Sequence, residues 1–598
     1  MRAWLGRVAL AVIVLMSLQP CPIGAQPTTI GRVTGAVTDA LGRPLADTQL
    51  RLQASDGTEV ARAATDQRGR FTLTNIAPGT YAITADKPDF QTGTAIVTVA
   101  GGGTADTTIT LTATKPLDLA LTAKQLDAAR FAIEPRIGAS TYTITRRAIE
   151  TQPGGGENAP LNQVLLQAPG TSQDSFGQIH VRNEHANLQY RIDGVILPEG
   201  ISAFGQSLSP RFATQAELIT GALPAQYGLR TAGIIDIQTK SGAFDQGGSV
   251  GIYGGSHQWL QPSAEYGGSI GRFNYYVTGD YLQNGIGIES PTPANDPIHD
   301  NTTQGHGFAY LSAIIDPTSR VSAILGTFRG QFQIPNNPGL VPTNTVNGSS
   351  AFDSAKLNEN QRELNHYGIL SYLKTAENFD FQLSSFARYS SLTFRPDPFG
   401  DVAFNGIAQD AYRRSIASGF QGDGSYKLST DHTLRTGVVV SGERSIAATN
   451  SLVELSTGPD TPFNIADSSG KTAWTYSIYL QDEWRLTPQL TLNYGGRFDV
   501  VNAFTNENQI SPRLNAVFKP TETTTLHAGY ARYFTPPPFE LVATTTVNRF
   551  VGTTGASPGT LNDPVRAERA DYFDVGCRRF SSPASGSAST PTTSTRTI

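Results

Sequence analysis

The 598-residue chain has little cysteine, 2 residues in all, and little charge, with 16% Asp, Glu, Lys and Arg. It also has no apolar run of the roughly 20 residues that a membrane-spanning helix needs. Each shortage excludes something. Cys21 lies in the leader, so Cys577 is left alone and no internal disulfide framework forms. With 45 Lys+Arg against 50 Asp+Glu, and a net charge of -5, there is no basic excess to neutralise a phosphate backbone, and nucleic-acid binding is disfavoured. Without a helical span, any membrane crossing falls to β-strands, whose backbone groups pair fully only in a closed barrel. What the chain does have is 60 Gly, 28 Phe and 21 Tyr, spread along its length. Such aromatic content argues against disorder and for a large, multidomain, mainly β protein.

The first 25 residues read as a secretory signal peptide. Arg2 and Arg7 precede an apolar run from Val8 to Leu18, and Gly24-Ala25 supplies the small residues of a cleavage site after Ala25. Acylation at Cys21 is disfavoured, because Pro20 stands where a small residue is needed.

Residues 30–113 form a series of short alternating segments, such as Val33-Thr34-Gly35-Ala36-Val37 and Thr107 to Leu111, which read as a small β-sandwich. Two turns punctuate it, at Asp66-Gln67-Arg68-Gly69 before Phe71 and at Ala77-Pro78-Gly79 before Tyr81. Their spacing resembles the carboxypeptidase-regulatory-like domain, a transthyretin-like sandwich. Residues 114–139 read as a mixed polar linker.

From 140 to 242 helical and strand signals mix. Asn162 to Leu166 is a helix candidate stopped by Pro169-Gly170, Ile179 to Val181 and Leu188 to Ile192 are strands, and Asp193-Gly194 is a tight turn. Ala216 to Gly221 leads through Tyr227-Gly228 to a final strand from Gly233 to Lys240. This order resembles the plug domain of TonB-dependent outer-membrane receptors. The resemblance marks Arg182, Asp193, Gly194, Tyr227, Gly228 and Gly233 as plug positions; Asn183 stands where the family usually has glycine.

From 247 to 576 the strands have one apolar and one polar face. Phe273, Tyr275, Val277 and Tyr281 alternate with Arg272, Asn274, Thr278 and Asp280. Short turns at Asp316-Pro317-Thr318-Ser319, Ser429-Thr430-Asp431, Thr487-Pro488-Gln489 and Lys519-Pro520-Thr521 alternate with long polar stretches near 283–305, 331–364, 395–412, 445–470 and 536–566. That rhythm is the one made by periplasmic turns and extracellular loops. Tyr389, Trp474, Trp484, Tyr530 and Tyr533 lie near strand ends and are expected in the interfacial aromatic girdles. Roughly 14 strands are counted by Gly576, where the resemblance implies about 22. Residues 577–598 form a Ser/Thr/Pro-rich tail without lipid-facing residues. The expectation is a truncated or frameshifted receptor. In fold class, the chain is mainly β, with an N-terminal β-sandwich, an α+β plug and an incomplete transmembrane antiparallel β-barrel.

Catalytic signals are weak. No His-Glu-x-x-His zinc motif is present, and His180 with His185 makes a poor metal pair. Gly-x-Ser-x-Gly occurs at Gly247 to Gly251 and at Gly267 to Gly271, but in alternating Gly-rich segments rather than at a strand-to-helix elbow. Gly470-Lys471-Thr472 resembles the end of a phosphate loop, yet Ile465 takes the place of its first glycine. No catalytic residue, metal or cofactor is expected.

The resemblance implies a non-enzymatic receptor and transporter in the bacterial outer membrane, in contact with outer-membrane lipid. Its implied partners are the TonB energy-transducing complex and a small ligand such as a siderophore, glycan or peptide. No TonB docking box is evident between Thr114 and Ser140. The alternative is a surface or periplasmic carbohydrate-binding protein acting through the sandwich, with Phe71, Tyr81 and Phe90 as its few aromatics.

Overall fold

The structure is a computed structural model. It describes residues 29–39, 44–112, 116–135, 140–153, 155–174, 178–182, 184–185, 188–198, 200–201, 204–288, 290–539, 547–557, 565–579 and 592–597. The expected signal peptide lies outside them, as does most of the expected tail. The chain divides into two compact units, 1–118 and 119–598.

In the first unit, a three-stranded sheet has Gly31–Asp39 at its centre, antiparallel to Arg70–Ile76 and parallel to Thr104–Leu111. A four-stranded sheet runs in the order Glu59–Ala64, Gln49–Gln53, Gly79–Asp86, Gly93–Val99. Alternate residues of both sheets meet in a core that includes Val33, Val37, Leu50, Leu52, Leu73 and Ile83. The Asp66 turn forms because the carboxylate accepts the backbone N–H of Arg68 and of Arg70, both at 2.8 Å. Gly69, at φ +69, supplies the left-handed step, and Phe71 then enters the core. Tyr81 is buried too, donating its hydroxyl hydrogen to the Ala77 carbonyl at 2.8 Å, and Phe90 packs against the same core. Phe71 and Tyr81 are therefore closed to sugar stacking, and Phe90 is half-buried.

The second unit opens with a difference from the sequence reading. Within the stretch read as a polar linker lies an α-helix, Pro116–Ile133. Leu119, Ala123, Leu126 and Ile133 cluster with Ala243, Ile314 and Leu373, and these partners, distant in sequence, give the helix its apolar contact. The plug sheet follows, in the order Val195–Ile196, Leu188–Ile192, Gly233–Thr239, Ala213–Thr220, Ser140–Thr145. Asp193 and Gly194 both have positive φ, +50 and +80, the geometry that a two-residue hairpin requires. The helix candidate forms as Leu161–Leu165.

The remaining strands make one continuous antiparallel sheet. Fourteen run from Gly247–Gly254 to Glu568–Arg579, each paired with the next, and the backbone of Thr592–Thr597 adds a fifteenth against Asp571 to Gly576. Gly247–Gly254 pairs only with Leu260–Ile270 among the described residues, so the sheet is open and the barrel incomplete. Burial settles which face is which. Leu325, Leu370, Leu383, Phe420, Ile478 and Leu480 are exposed, whereas Asn274, Glu363, Asn365, Gln421, Gln481 and Asp499 are buried. Apolar outside and polar inside is the inverse of a soluble sandwich and is the pattern of a membrane barrel.

Two features differ from the sequence reading. The polar stretch 445–470 is largely strand and 395–412 is strand at its end: Ile407–Lys427, His432–Val453 and Phe463–Arg485 run on, and the connections shrink to 396–406 and 454–462. A bilayer needs only about 9–11 residues of tilted strand, so these longer hairpins extend into water, where an apolar face is not required. Tyr533, expected in an aromatic girdle, is instead turned inward and 1% exposed, because residues 531 and 533 share the plug-facing side of Thr524–Thr535.

Candidate functional site

The concave face of the sheet is filled by the plug. Plug residues Leu161, Ile192, Leu218, Ile235 and Ile237 pack in one core with wall residues Tyr276, Phe308, Tyr367, Phe386 and Val439. Phe212 stacks on Phe308 with ring centroids 4.2 Å apart.

At the plug hairpin, strand Leu188–Ile192 buries Arg191, 2% exposed, between apolar neighbours. Its guanidinium donates to Gln189 Oε1 at 3.1 Å and to the carbonyls of Gly194 and Gln226 at 3.2 and 3.4 Å, and it lies 4.8 Å from the centre of the Tyr227 ring. The wall reads the same carbonyls. Gln421 Nε2 donates to Gly194 O at 3.0 Å while Gln421 Oε1 accepts from Ile196 N at 2.9 Å, and Arg497 donates to Gln226 O at 3.1 Å. Arg497 also pairs with Asp499 at 2.7 Å, both side chains 2% exposed. Nearer the loop side, Glu363 accepts the backbone N–H of Phe204 and Gly205 at 2.9 and 3.0 Å.

Of the six positions marked from sequence, four gather here. Asp193 accepts from Thr239 N and Oγ1 at 3.1 and 2.7 Å, tying the hairpin to the last plug strand. Gly194 lies against Glu134, Tyr227 under Arg191, and Gly228 so close to Arg497 that a side chain would displace the guanidinium. Gly233 starts the central strand, where a Cβ would stand 2.9 Å from the Ile219 carbonyl. Arg182 is apart from the others, donating to the Tyr572 hydroxyl at 2.7 Å and facing Asp574 at 3.7 Å.

Sequence reasoning missed Arg130, Glu134, Arg191 and Asp236. Arg130 lies 3.5 Å from Glu134 and 3.7 Å from Asp193, and Asp236 accepts from Gly194 N at 3.3 Å. Burial, reinforced by Asp236, pushes the Glu134 carboxyl up to about 8, against the pull of Arg130 and Arg191. Burial also raises Asp236, to about 6, with Arg130 and Arg191 again opposing. The available signal was a charged residue inside an apolar strand, as in Ile234-Ile235-Asp236-Ile237.

A second anchor is Tyr533, whose hydroxyl donates to Gly221 O at 2.6 Å and accepts from Leu223 N at 2.9 Å. Tyr533→Phe will leave the buried Leu223 N–H unpaired and cost about 1–2 kcal/mol. The check is thermal unfolding together with amide exchange at residues 221–223; unchanged exchange there would contradict the anchor.

On the loop side of the plug lies a cavity of about 140 Å³, walled by Phe386, Val439, Val501 and Phe534, with Arg230, Glu443 and Glu507 at its polar positions. Catalytic geometry is not assembled at the motifs singled out from sequence. Ser249 donates to Glu265 at 3.2 Å and Ser269 to Gly242 O at 2.9 Å, and both sit within strands rather than at a strand-to-helix turn. His180 faces His185 across a strand pair, and no group of three metal-ligating side chains occurs among the described residues. Lys471 is an exposed residue within strand Phe463–Arg485.

Comparison with known proteins matches these features. Residues 326–590 match the family TonB dependent receptor-like, beta-barrel, and residues 32–112 match the carboxypeptidase regulatory-like domain. Two stretches of the chain are thus similar to known domains, one to the barrel of TonB-dependent receptors and one to the carboxypeptidase regulatory-like domain. The chain is 25% identical over 244 residues to the TonB-dependent transporter Oar of Myxococcus xanthus, a match that takes in 38% of this chain and 22% of that relative. It thus spans about a fifth of the relative's length. The fold is similar to the siderophore receptor PiuA of Acinetobacter baumannii, with TM-score 0.55, 15% identity and coverage of 75% of this chain and 71% of that one. It is similar also to the ferric yersiniabactin uptake receptor FyuA of Yersinia pestis, with TM-score 0.57, 15% identity and coverage of 74% and 70%.

Proposed function

We propose that this TonB-dependent receptor-type chain lies in the bacterial outer membrane, captures a small ligand on the loop side of the plug and admits it when the plug rearranges. The supporting observation is a folded plug hydrogen-bonded to a polar inner wall whose outer face is apolar. A filled lumen does not pass solutes by diffusion, so uptake needs the plug to move. The TonB energy-transducing complex is the partner that the family resemblance suggests for that movement. The apolar cavity with Arg230, Glu443 and Glu507 at its edge supports an amphipathic ligand, such as a siderophore or an apolar peptide, over a bare glycan. The carbohydrate-binding alternative is not favoured, since the aromatic side chains of the sandwich are committed to its core. A membrane-embedded form needs the Gly247–Gly254 edge paired, because backbone groups left unsatisfied in lipid cost several kcal/mol each.

The test is fractionation of cells expressing the full chain, followed by binding of ferric hydroxamate siderophores and apolar tripeptides to the solubilised protein. Recovery in outer membranes, with saturable binding weakened by Phe534→Ala, is expected. Recovery only in a soluble periplasmic fraction would overturn the reading.

A further inference from the structure

The outer surface of the sheet carries a charged feature used by neither the lumen nor the plug. On strand Asn360–Thr375 burial alternates, so Arg362, Leu364, His366, Gly368, Leu370, Tyr372 and Lys374 face outward. The two charges that bound this apolar run, Arg362 and Lys374, are twelve residues apart. Twelve residues span roughly 40 Å of strand, or about 30 Å along the membrane normal at a tilt near 40°, which is the thickness of a hydrocarbon core. Arg362 therefore stands at the headgroup level on the long-loop side.

It does not stand alone. On the neighbouring strands Arg329 pairs opposite Leu364, and Arg395 opposite Asn360, each two positions from the residue facing Arg362. Such diagonal neighbours are about 7–8 Å apart. All three arginines are exposed, and among the described residues they make one ion pair, Arg395 with Asp410 at 3.8 Å. Arg362 and Arg395 flank an outward groove of about 520 Å³ whose other walls include Thr303, Gln331, Asn360 and Thr393. Just below it is an aromatic row in which His366 stacks on Tyr389, ring centroids 5.9 Å apart.

We propose that this groove is a docking site for the phosphorylated headgroup of a glycolipid in the outer leaflet. The proposal rests on the outer-membrane placement proposed above. Guanidinium forks suit phosphate oxygens, and the amide and hydroxyl side chains suit sugar hydroxyls. The aromatic row and the Leu364 to Tyr372 face suit the acyl chains beneath. The groove opens to the bilayer rather than to the lumen, which separates it from the ligand cavity.

The test places the full chain in phosphatidylcholine nanodiscs and titrates diphosphoryl lipid A, its dephosphorylated form and inorganic phosphate, with retained molecules counted by native mass spectrometry. The wild type is expected to retain the diphosphoryl form about tenfold or more over the dephosphorylated one, and R362Q/R395Q to lose that preference. Equal retention of both lipids, or an unaltered preference in the double variant, overturns the site. Inorganic phosphate binding as tightly as the lipid also overturns it, in favour of a free-phosphate site. A chain that does not enter the nanodisc overturns the membrane placement itself, a separate and recognisable result.

Discussion

Replacing Arg497 with alanine will loosen the plug from the wall while leaving the sheet paired. Arg497 does two things at once. It neutralises Asp499 at 2.7 Å in a place where both side chains are 2% exposed, and it reaches across to the plug at Gln226 O, 3.1 Å away. The substitution leaves Asp499 without its ion-pair partner, with Ser477 as its hydrogen-bond donor at 2.6 Å and with buried Arg513 as a more distant cation. Breaking a buried pair from one side costs about 3–5 kcal/mol, because the remaining charge stays desolvated. Water entering beside a displaced plug relieves that cost, so the penalty falls on the seated state. Hydrogen exchange at residues 224–230 is expected to accelerate by several orders of magnitude, with the strand amides of 490–502 far less affected. Arg497→Lys keeps the charge without the forked geometry and should fall between the two. Exchange at 224–230 that matches the wild type would show that the plug is held elsewhere.

The same region shows what sequence alone can and cannot give. Asp193-Gly194 was legible because a two-residue hairpin is a local matter of positive φ, and the strands on either side alternate cleanly. The fourteen wall strands were legible for a similar reason, since a face of period two and short turns are written into consecutive residues. Direction was harder. Tyr533 sits near a strand end like the girdle aromatics, and only the register of Thr524–Thr535 against its neighbours turns it toward Gly221. The helix Pro116–Ile133 was invisible because the partners of Leu126 and Ile133, namely Ala243, Ile314 and Leu373, lie far along the chain. Arg191 looked like an ordinary polar residue in a strand. Its role depends on the carbonyls of Gly194 and Gln226 being brought to it by separate loops.

The seating of the helix on the plug is expected to weaken as pH rises, and Glu134→Gln will abolish most of that dependence. The junction gathers the cations Arg130 and Arg191 with the carboxyls Glu134, Asp193 and Asp236. Fully ionised, the cluster carries one negative charge too many, and one bound proton balances it. Glu217 adds negative potential to both raised carboxyls, while Asp127 with Arg320 at 2.7 Å, and Arg435 with Glu483, form ion pairs around the helix. Glu134 is held up to about 8, so between its ordinary value and that point the folded junction binds a proton that the opened one releases. Stability from this group is complete below pH ~4.5 and is lost as pH climbs through 8, approaching about 1.4 kcal/mol per pH unit. Asp236, raised to about 6, adds to the slope at lower pH. Glutamine mimics the protonated carboxyl, so E134Q should remain seated at pH 9, where the wild type opens most readily. Amide exchange along residues 119–133 between pH 5 and 9, corrected for intrinsic rates, reads this directly. A slope in E134Q as steep as that of the wild type would assign the proton to another group of the cluster.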